Sequence, residues 1–172
     1  MGTAIEPVDA ASVVPPPPPE FHALYQQYSE AVYRTALRVT GNAADAEDVL
    51  QNVFLRILNH QLTLDPMWSP ERYLRRAATN AAIDLLRHKT SLAETGIEEG
   101  RDYGGGESTA LLKERLRRAL GKLPAGHAEM FVLCYLEGYS YDELAEQLQV
   151  ERGTVASRLY RIRQTLQKSL SK

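Results

Sequence analysis

A chain of 172 residues has room for one ordinary domain or two small ones. Its 44% hydrophobic content supports a folded core, while the lack of any apolar run near about 18 residues excludes a transmembrane helix. The net charge of −2 argues against a uniformly basic nucleic-acid binder, but it averages over a chain with sharply separated acidic and basic stretches.

Residues 1–20 carry Glu6, Asp9 and Glu20 without a base, and they include the successive prolines Pro15 to Pro19. Such a run forms neither helix nor sheet, and a disordered, extended spacer is expected. No basic segment followed by an apolar core marks a secretory signal, and the single Cys134 cannot form an internal disulfide, so a cytoplasmic location is expected.

A first helix begins at residue 21, with Phe21, Leu24, Tyr25, Tyr28 and Val32 on one stripe and Gly41 closing it. Asn42, with Asp45 three positions on, starts a second helix. Its Ala46, Val49, Leu50, Val53 and Ile57 face inward, leaving an acidic and amide-bearing face of Glu47, Asp48, Gln51 and Asn52. A loop from Asn59 to Trp68 follows. Ser69-Pro70-Glu71 then supplies an N-cap with proline in the first turn, predicting a third helix to about Lys89. Leu74, Ala77, Ala81 and Leu85 pack inward, and Arg75, Arg76, Asn80 and Arg87 point out. Leu55, Leu58, Ile83 and Leu86 fall off these stripes, so these helices are buried on two sides or leave apolar surface for a partner.

Residues 91–107 combine Gly96, Gly100 and Gly104-Gly105-Gly106 with acidic residues and little periodicity, the profile of a flexible acidic linker between domains 21–90 and 108–172. Ser108 can cap a helix carrying Leu112, Leu116, Ala119, Leu120 and Leu123, which Pro124 ends. A short helix from about Gly126 to Glu137 stops at Gly138. No strand pattern occurs, so the fold class is all-α, two small helical domains.

Residues Gly138 to Arg163 read as a helix-turn-helix. Ser140 caps the first helix and Glu143 completes a capping box. Tyr141, Leu144, Ala145 and Leu148 form its inner face, Val150 plugs the turn, and Val155, Leu159, Ile162 and Leu166 form the inner face of the second helix. With those buried, Thr154, Ser157, Arg158 and Arg161 project outward beside Arg152, placing hydroxyls and guanidinium forks where base edges and phosphates would be met. From Arg152 to Lys172 there is no acidic residue. A helical hairpin with a solvated basic face is the plain alternative.

The chain lacks the inventory of an enzyme. There are no Glu-x-x-His pairs, and His22, His60, His88 and His127 show no ligand spacing. Gly104-Gly105-Gly106 lacks the Lys and helix of a phosphate loop. No catalytic residue, metal or cofactor is expected.

Three segments carry a family resemblance. Residues 45–58, Asp-Ala-Glu-Asp-Val-Leu-Gln-Asn-Val-Phe-Leu-Arg-Ile-Leu, resemble the helix by which extracytoplasmic-function (ECF) sigma factors grip the largest subunit of RNA polymerase. Residues 73–89 look like that family's promoter-melting helix, with Asn80, Asp84 and Arg87 at its typical positions, and Gly153 to Leu159 resemble the start of its recognition helix. The resemblance covers roughly residues 21–170 and leaves the proline tail outside. It implies core-polymerase binding through Glu47, Asp48, Gln51 and Asn52. Contact with the minus-ten element would involve Trp68, Arg75, Arg76, Asn80, Arg87 and Lys89, and contact with the minus-thirty-five element Arg152, Thr154, Ser157, Arg158 and Arg161. It also implies promoter DNA, core polymerase and an inhibitory anti-sigma factor as partners. Trp68 has two readings, stacking on an unpaired base or packing in the core. Departures from the pattern are Ala156, Gln149 and Tyr73, where the family often carries a basic residue, a glycine and a tryptophan. The rival is a stand-alone regulator that binds duplex DNA through residues 138–168 and dimerises through its N-terminal helices. An inactive mimic of the family would keep the 47–52 face and lose the arginines.

Overall fold

Seven α-helices account for nearly all of residues 19–60, 62–64, 69–96 and 109–171, the part of the chain described by a computed structural model. The proline run before Pro19, Trp68, Ser108 and most of the expected linker lie outside the described residues. Among the described residues there is no strand, and no helix is long and apolar enough to cross a membrane.

Helix α1 (Pro19–Thr40) opens on the last proline of the run and ends at Gly41, whose φ of +66° is a backbone conformation glycine adopts without a Cβ penalty. Helix α2 (Ala43–Leu58) starts where Asn42 accepts the Asp45 N–H at 3.1 Å. Helix α3 (Pro70–Glu94) starts at Ser69, which accepts the Arg72 N–H at 3.3 Å, with proline just inside. In α2 the expected Ala46, Val49 and Val53 are buried, whereas Leu55 and Leu58 are exposed. In α3 the off-stripe Ile83 and Leu86 are buried along with Leu74 and Ala77. The reason is that α3 packs against α1 and α2 and also against α4 and α5. Two-sided burial therefore explains α3, and exposed apolar surface explains α2.

Helix α3 also runs beyond the expected end at Lys89, through Thr90 and on into residues 91–94 of the segment read as linker. Its last turns lie on α4 (Thr109–Lys122). Thr90 is buried, a Cβ built on Gly121 would stand 2.5 Å from its hydroxyl and 3.0 Å from the Leu86 carbonyl, and Lys122 pairs with Glu94 at 2.8 Å. The buried contact of Thr90 with Gly121 lies in helix where composition suggested none, while the exposed Lys122–Glu94 pair adds little.

Pro124 separates α4 from α5 (Ala125–Tyr135), an apolar helix in which Ala128, Met130, Val132 and Leu133 are buried. Gly138, at φ +77°, ends this segment while the Tyr139 N–H donates to the Leu133 carbonyl at 2.9 Å. Helix α6 (Tyr141–Leu148) carries the expected capping box, both bonds between Ser140 and Glu143 being formed. Gln149 takes the left-handed turn conformation, and α7 (Arg152–Leu170) buries Val155, Leu159, Ile162 and Leu166. Helices α6 and α7 form the helix-turn-helix, with α4 and α5 behind α7.

Candidate nucleic-acid interface

On α2, Glu47, Asp48, Gln51 and Asn52 are all exposed. Successive turns stack Gln51 over Glu47 and Asn52 over Asp48, so the four make one acidic and amide-bearing patch. Leu55 continues that side of the helix at 54% exposure, adding an apolar edge. The patch is chemically suited to a basic surface with a hydrophobic rim.

On α7, Arg152, Ser157, Arg158 and Arg161 are exposed and Thr154 is partly exposed, opposite the buried Val155, Leu159 and Ile162. Arg152 is drawn to Asp142 at 3.0 Å, both side chains being largely in solvent, a pair of small energetic consequence. The Ser157 hydroxyl donates to the Thr154 carbonyl at 3.1 Å. The outward face is thus a set of solvated guanidiniums with short hydroxyls between them. Tyr160, at 58% exposure, adds an aromatic ring to the side of this helix.

Helix α3 is different. At about 100° per residue, Arg72, Arg76, Asn80 and Arg87 fall within one narrow stripe, with Arg75 beside it. The structure brings Arg75, Arg76 and Asn80 together and leaves Arg87 exposed further along the same stripe. Lys89 lies on the other side of the helix, paired with Asp45 at 2.6 Å. Trp68 is outside the described residues.

The stripe's N-terminal part is already engaged by carboxylates from the second half of the chain. Arg76 Nε and Asn80 Nδ2 donate to Glu129 Oε1 at 2.5 and 3.1 Å, and Arg76 also reaches the Gln147 carbonyl at 3.3 Å. Arg72 donates to Glu143 at 2.7 Å, with its guanidinium 5.4 Å from the centroid of the Tyr139 ring. Arg75 donates to Glu71 on its own helix at 2.7 Å and to Glu137 at 3.2 Å. Glu137, whose side chain is fully buried, also accepts from Arg38 at 2.8 and 2.9 Å and from the Thr35 hydroxyl at 2.9 Å. Burial raises the Glu137 pKa, but the hydrogen bonds from Arg38 and Thr35 and the charges of Arg38 and Arg75 more than reverse this, leaving it below the ordinary carboxylate value.

Arg38, Arg72, Glu129 and Glu137 were not among the residues singled out in the sequence. Arg72 had a usable signal, lying one turn before Arg76. Glu129 had one too, as an acid inside the apolar run around Met130. Arg38 and Glu137 meet across 99 positions, a pairing no local pattern announces.

Among the described residues no cluster of His, Cys, Asp and Glu could hold a metal ion. Among the described residues, an open cleft between α4 and α7 is lined by Arg115, Arg118, Lys122 and Lys168.

Residues 24–91 match the family model of Sigma-70 region 2, and residues 113–166 match that of Sigma-70, region 4. Among curated relatives, the ECF RNA polymerase sigma factor SigE of Mycolicibacterium smegmatis is 34% identical over 162 residues, covering 90% of this chain; the chain spans 63% of that protein's length. The ECF RNA polymerase sigma factor SigL of Mycobacterium tuberculosis is 33% identical over 145 residues, covering 80% of this chain and 81% of that one. In fold, the chain resembles the sigma factor RpoE of Bartonella quintana, solved with the anti-sigma factor NepR, at a TM-score of 0.50 and 20% identity over 88% of this chain and 97% of that chain. Two matched regions in the order of the family, on helices whose polar faces are set as described, show that this chain belongs to the ECF sigma factors of the sigma-70 family.

Proposed function

We propose that the chain binds core RNA polymerase through the α2 patch of Glu47, Asp48, Gln51 and Asn52 and directs it to promoters read at two places. In this division of labour, Arg75, Arg76, Asn80 and Arg87 of α3 hold the minus-ten region as its strands separate, with Trp68 and Lys89 as neighbouring contacts. Arg152, Thr154, Ser157, Arg158 and Arg161 of α7 read the minus-thirty-five element as duplex. The domains implied are 21–90 and 108–172, with α3 carrying the first domain on to Glu94.

The observation that carries this reading is the coexistence of two chemically opposite faces in one chain. The exposed acidic patch on α2 repels nucleic acid and suits a basic protein surface. The exposed basic face on α7 suits a major groove, where an arginine fork reaches guanine bidentately. A stand-alone DNA binder has no use for the first face. The protein acts in the cytoplasm as an initiation factor and not as a catalyst, and an anti-sigma factor, as in the RpoE and NepR pair, is its proposed inhibitor.

The test is run-off transcription from a genomic promoter library with core polymerase, comparing wild type with the Asp48→Ala, Gln51→Ala variant. Wild type should give discrete transcripts and the variant few or none. Duplex binding by the chain alone as a dimer, without transcripts from either protein, would replace this reading with that of a regulator.

A further inference from the structure

The open cleft between α4 and α7 is lined by Arg115, Arg118, Lys122 and Lys168, with Thr165 and Ser169 and no acid. Arg115 ties its two walls together, donating from its guanidinium to the Leu170 carbonyl. Arg118 has one carboxylate at hand, Glu114 of its own helix at 3.5 Å, and Lys122 has Glu94 at 2.8 Å. Lys168 meets no carboxylate among the described residues. The cleft therefore keeps a surplus of positive charge.

The chain carries a matching anion beside it. Glu94 ends α3 against Lys122, at the C-terminal end of α4, and Thr109 begins α4 at its far end. Between them the sequence holds Glu98, Glu99, Asp102 and Glu107 against Arg101 alone. To return from Lys122 to Thr109 this stretch must cover roughly 20 Å, the length of α4, whereas fully extended it reaches roughly 50 Å. We infer that the cleft is the docking site of the chain's own acidic segment, residues 97–107, whose carboxylates pair with Arg118, Lys122 and Lys168.

Connectivity favours this occupant over an external acidic one. Exposed ion pairs are individually weak, so a free acidic peptide gains little from such a shallow cleft. A segment joined to both ends of α4 is present at a local concentration of order millimolar and needs only weak pairs to dock. The chain also enters the cleft already paired, through Glu94 and Lys122. Docking leaves the outward face of Thr154, Ser157, Arg158 and Arg161 clear, since Thr165, Lys168 and Ser169 lie on the last turns of α7. The contact is electrostatic and solvated, so salt loosens it.

The experiment follows limited trypsin digestion of the full chain, scored by mass spectrometry as the appearance of fragment 1–101, the product of cleavage after Arg101, the one base of the segment. The Arg118→Gln, Lys168→Gln variant leaves the sequence around that bond untouched. Both side chains are exposed, so its fold, checked by circular dichroism, should be unchanged. At low salt the variant should be cut about fivefold faster than wild type, the size that two exposed ion pairs support when cleavage follows the open population. The difference should vanish at about 1 M sodium chloride. In a Glu98→Gln, Glu99→Gln, Glu107→Gln background the cleft substitutions should lose most of their effect. Equal cleavage of wild type and the cleft variant overturns the inference, as does an acceleration that persists undiminished in the neutralised background. If equal cleavage is accompanied by weaker binding of the cleft variant to duplex DNA, the cleft takes nucleic acid instead.

Discussion

Gln149 ends α6 with φ 53° and ψ 47°, a left-handed conformation that costs an L side chain roughly 1 kcal/mol relative to glycine. Gln149→Gly should therefore raise stability by about 1 kcal/mol, less the entropy that glycine adds to the unfolded chain, as read from the urea midpoint at constant m-value. Glu137 carries a pH signature. Its folded pKa lies below the ordinary value of 4.5, despite burial, because Arg38 and Thr35 on α1 and Arg75 on α3 favour the carboxylate, with Arg75 shared with Glu71. A depressed carboxylate contributes stability that is fully present above its unfolded pKa and is lost as pH falls through the folded value. Glu143, lowered by its capping bonds to Ser140 and by Arg72, acts in the same direction. Urea stability should thus hold from neutral pH down to about 5 and fall below it. Glu137→Gln should flatten that acid limb, and an unchanged acid limb would show that the carboxylate is not held as described.

The helices divide into those stabilised by what they bury and those read by what they expose. Leu74 of α3 is fully buried, and Leu74→Ala should cost about 2–5 kcal/mol. By contrast, Asp48→Ala and Gln51→Ala on the exposed α2 patch should leave stability within about 0.5 kcal/mol while abolishing polymerase binding, the two being separable by thermal melting and pull-down. On α7, Arg158→Ala or Arg161→Ala should weaken promoter binding by about 1–3 kcal/mol with relaxed sequence preference if the side chain reads a base. A uniform loss across sequences, with a shallower salt slope, marks a phosphate contact instead. Element starts were the most legible part of the sequence, because Asn42, Ser69 and Ser140 announce caps that the structure forms. The end of α3 was not. Residues 90–94 have little periodic apolarity, and the contact they make is with another helix, Thr90 being buried beside Gly121.

In the whole molecule, the net charge of −2 averages over separated stretches, and the bases of α7 lie on an exposed face. What one-dimensional charge could not reveal is that the arginines of α3 meet acids from α5 and α6. Glu129 meets Asn80 across 49 positions and Glu137 meets Arg38 across 99, whereas Glu143 also holds a local bond from the Ser140 N–H. Polymerase recruitment and promoter melting by a single chain form the central claim, and permanganate reactivity of promoter thymines tests it most directly. On a promoter selected by run-off transcription, core polymerase with wild type should make thymines near the minus-ten element reactive. The Asp48→Ala, Gln51→Ala protein should leave them protected. Reactivity that persists unchanged in that variant would contradict polymerase binding through α2, and wild type that shifts the duplex alone but never opens it with core polymerase would contradict the sigma role itself.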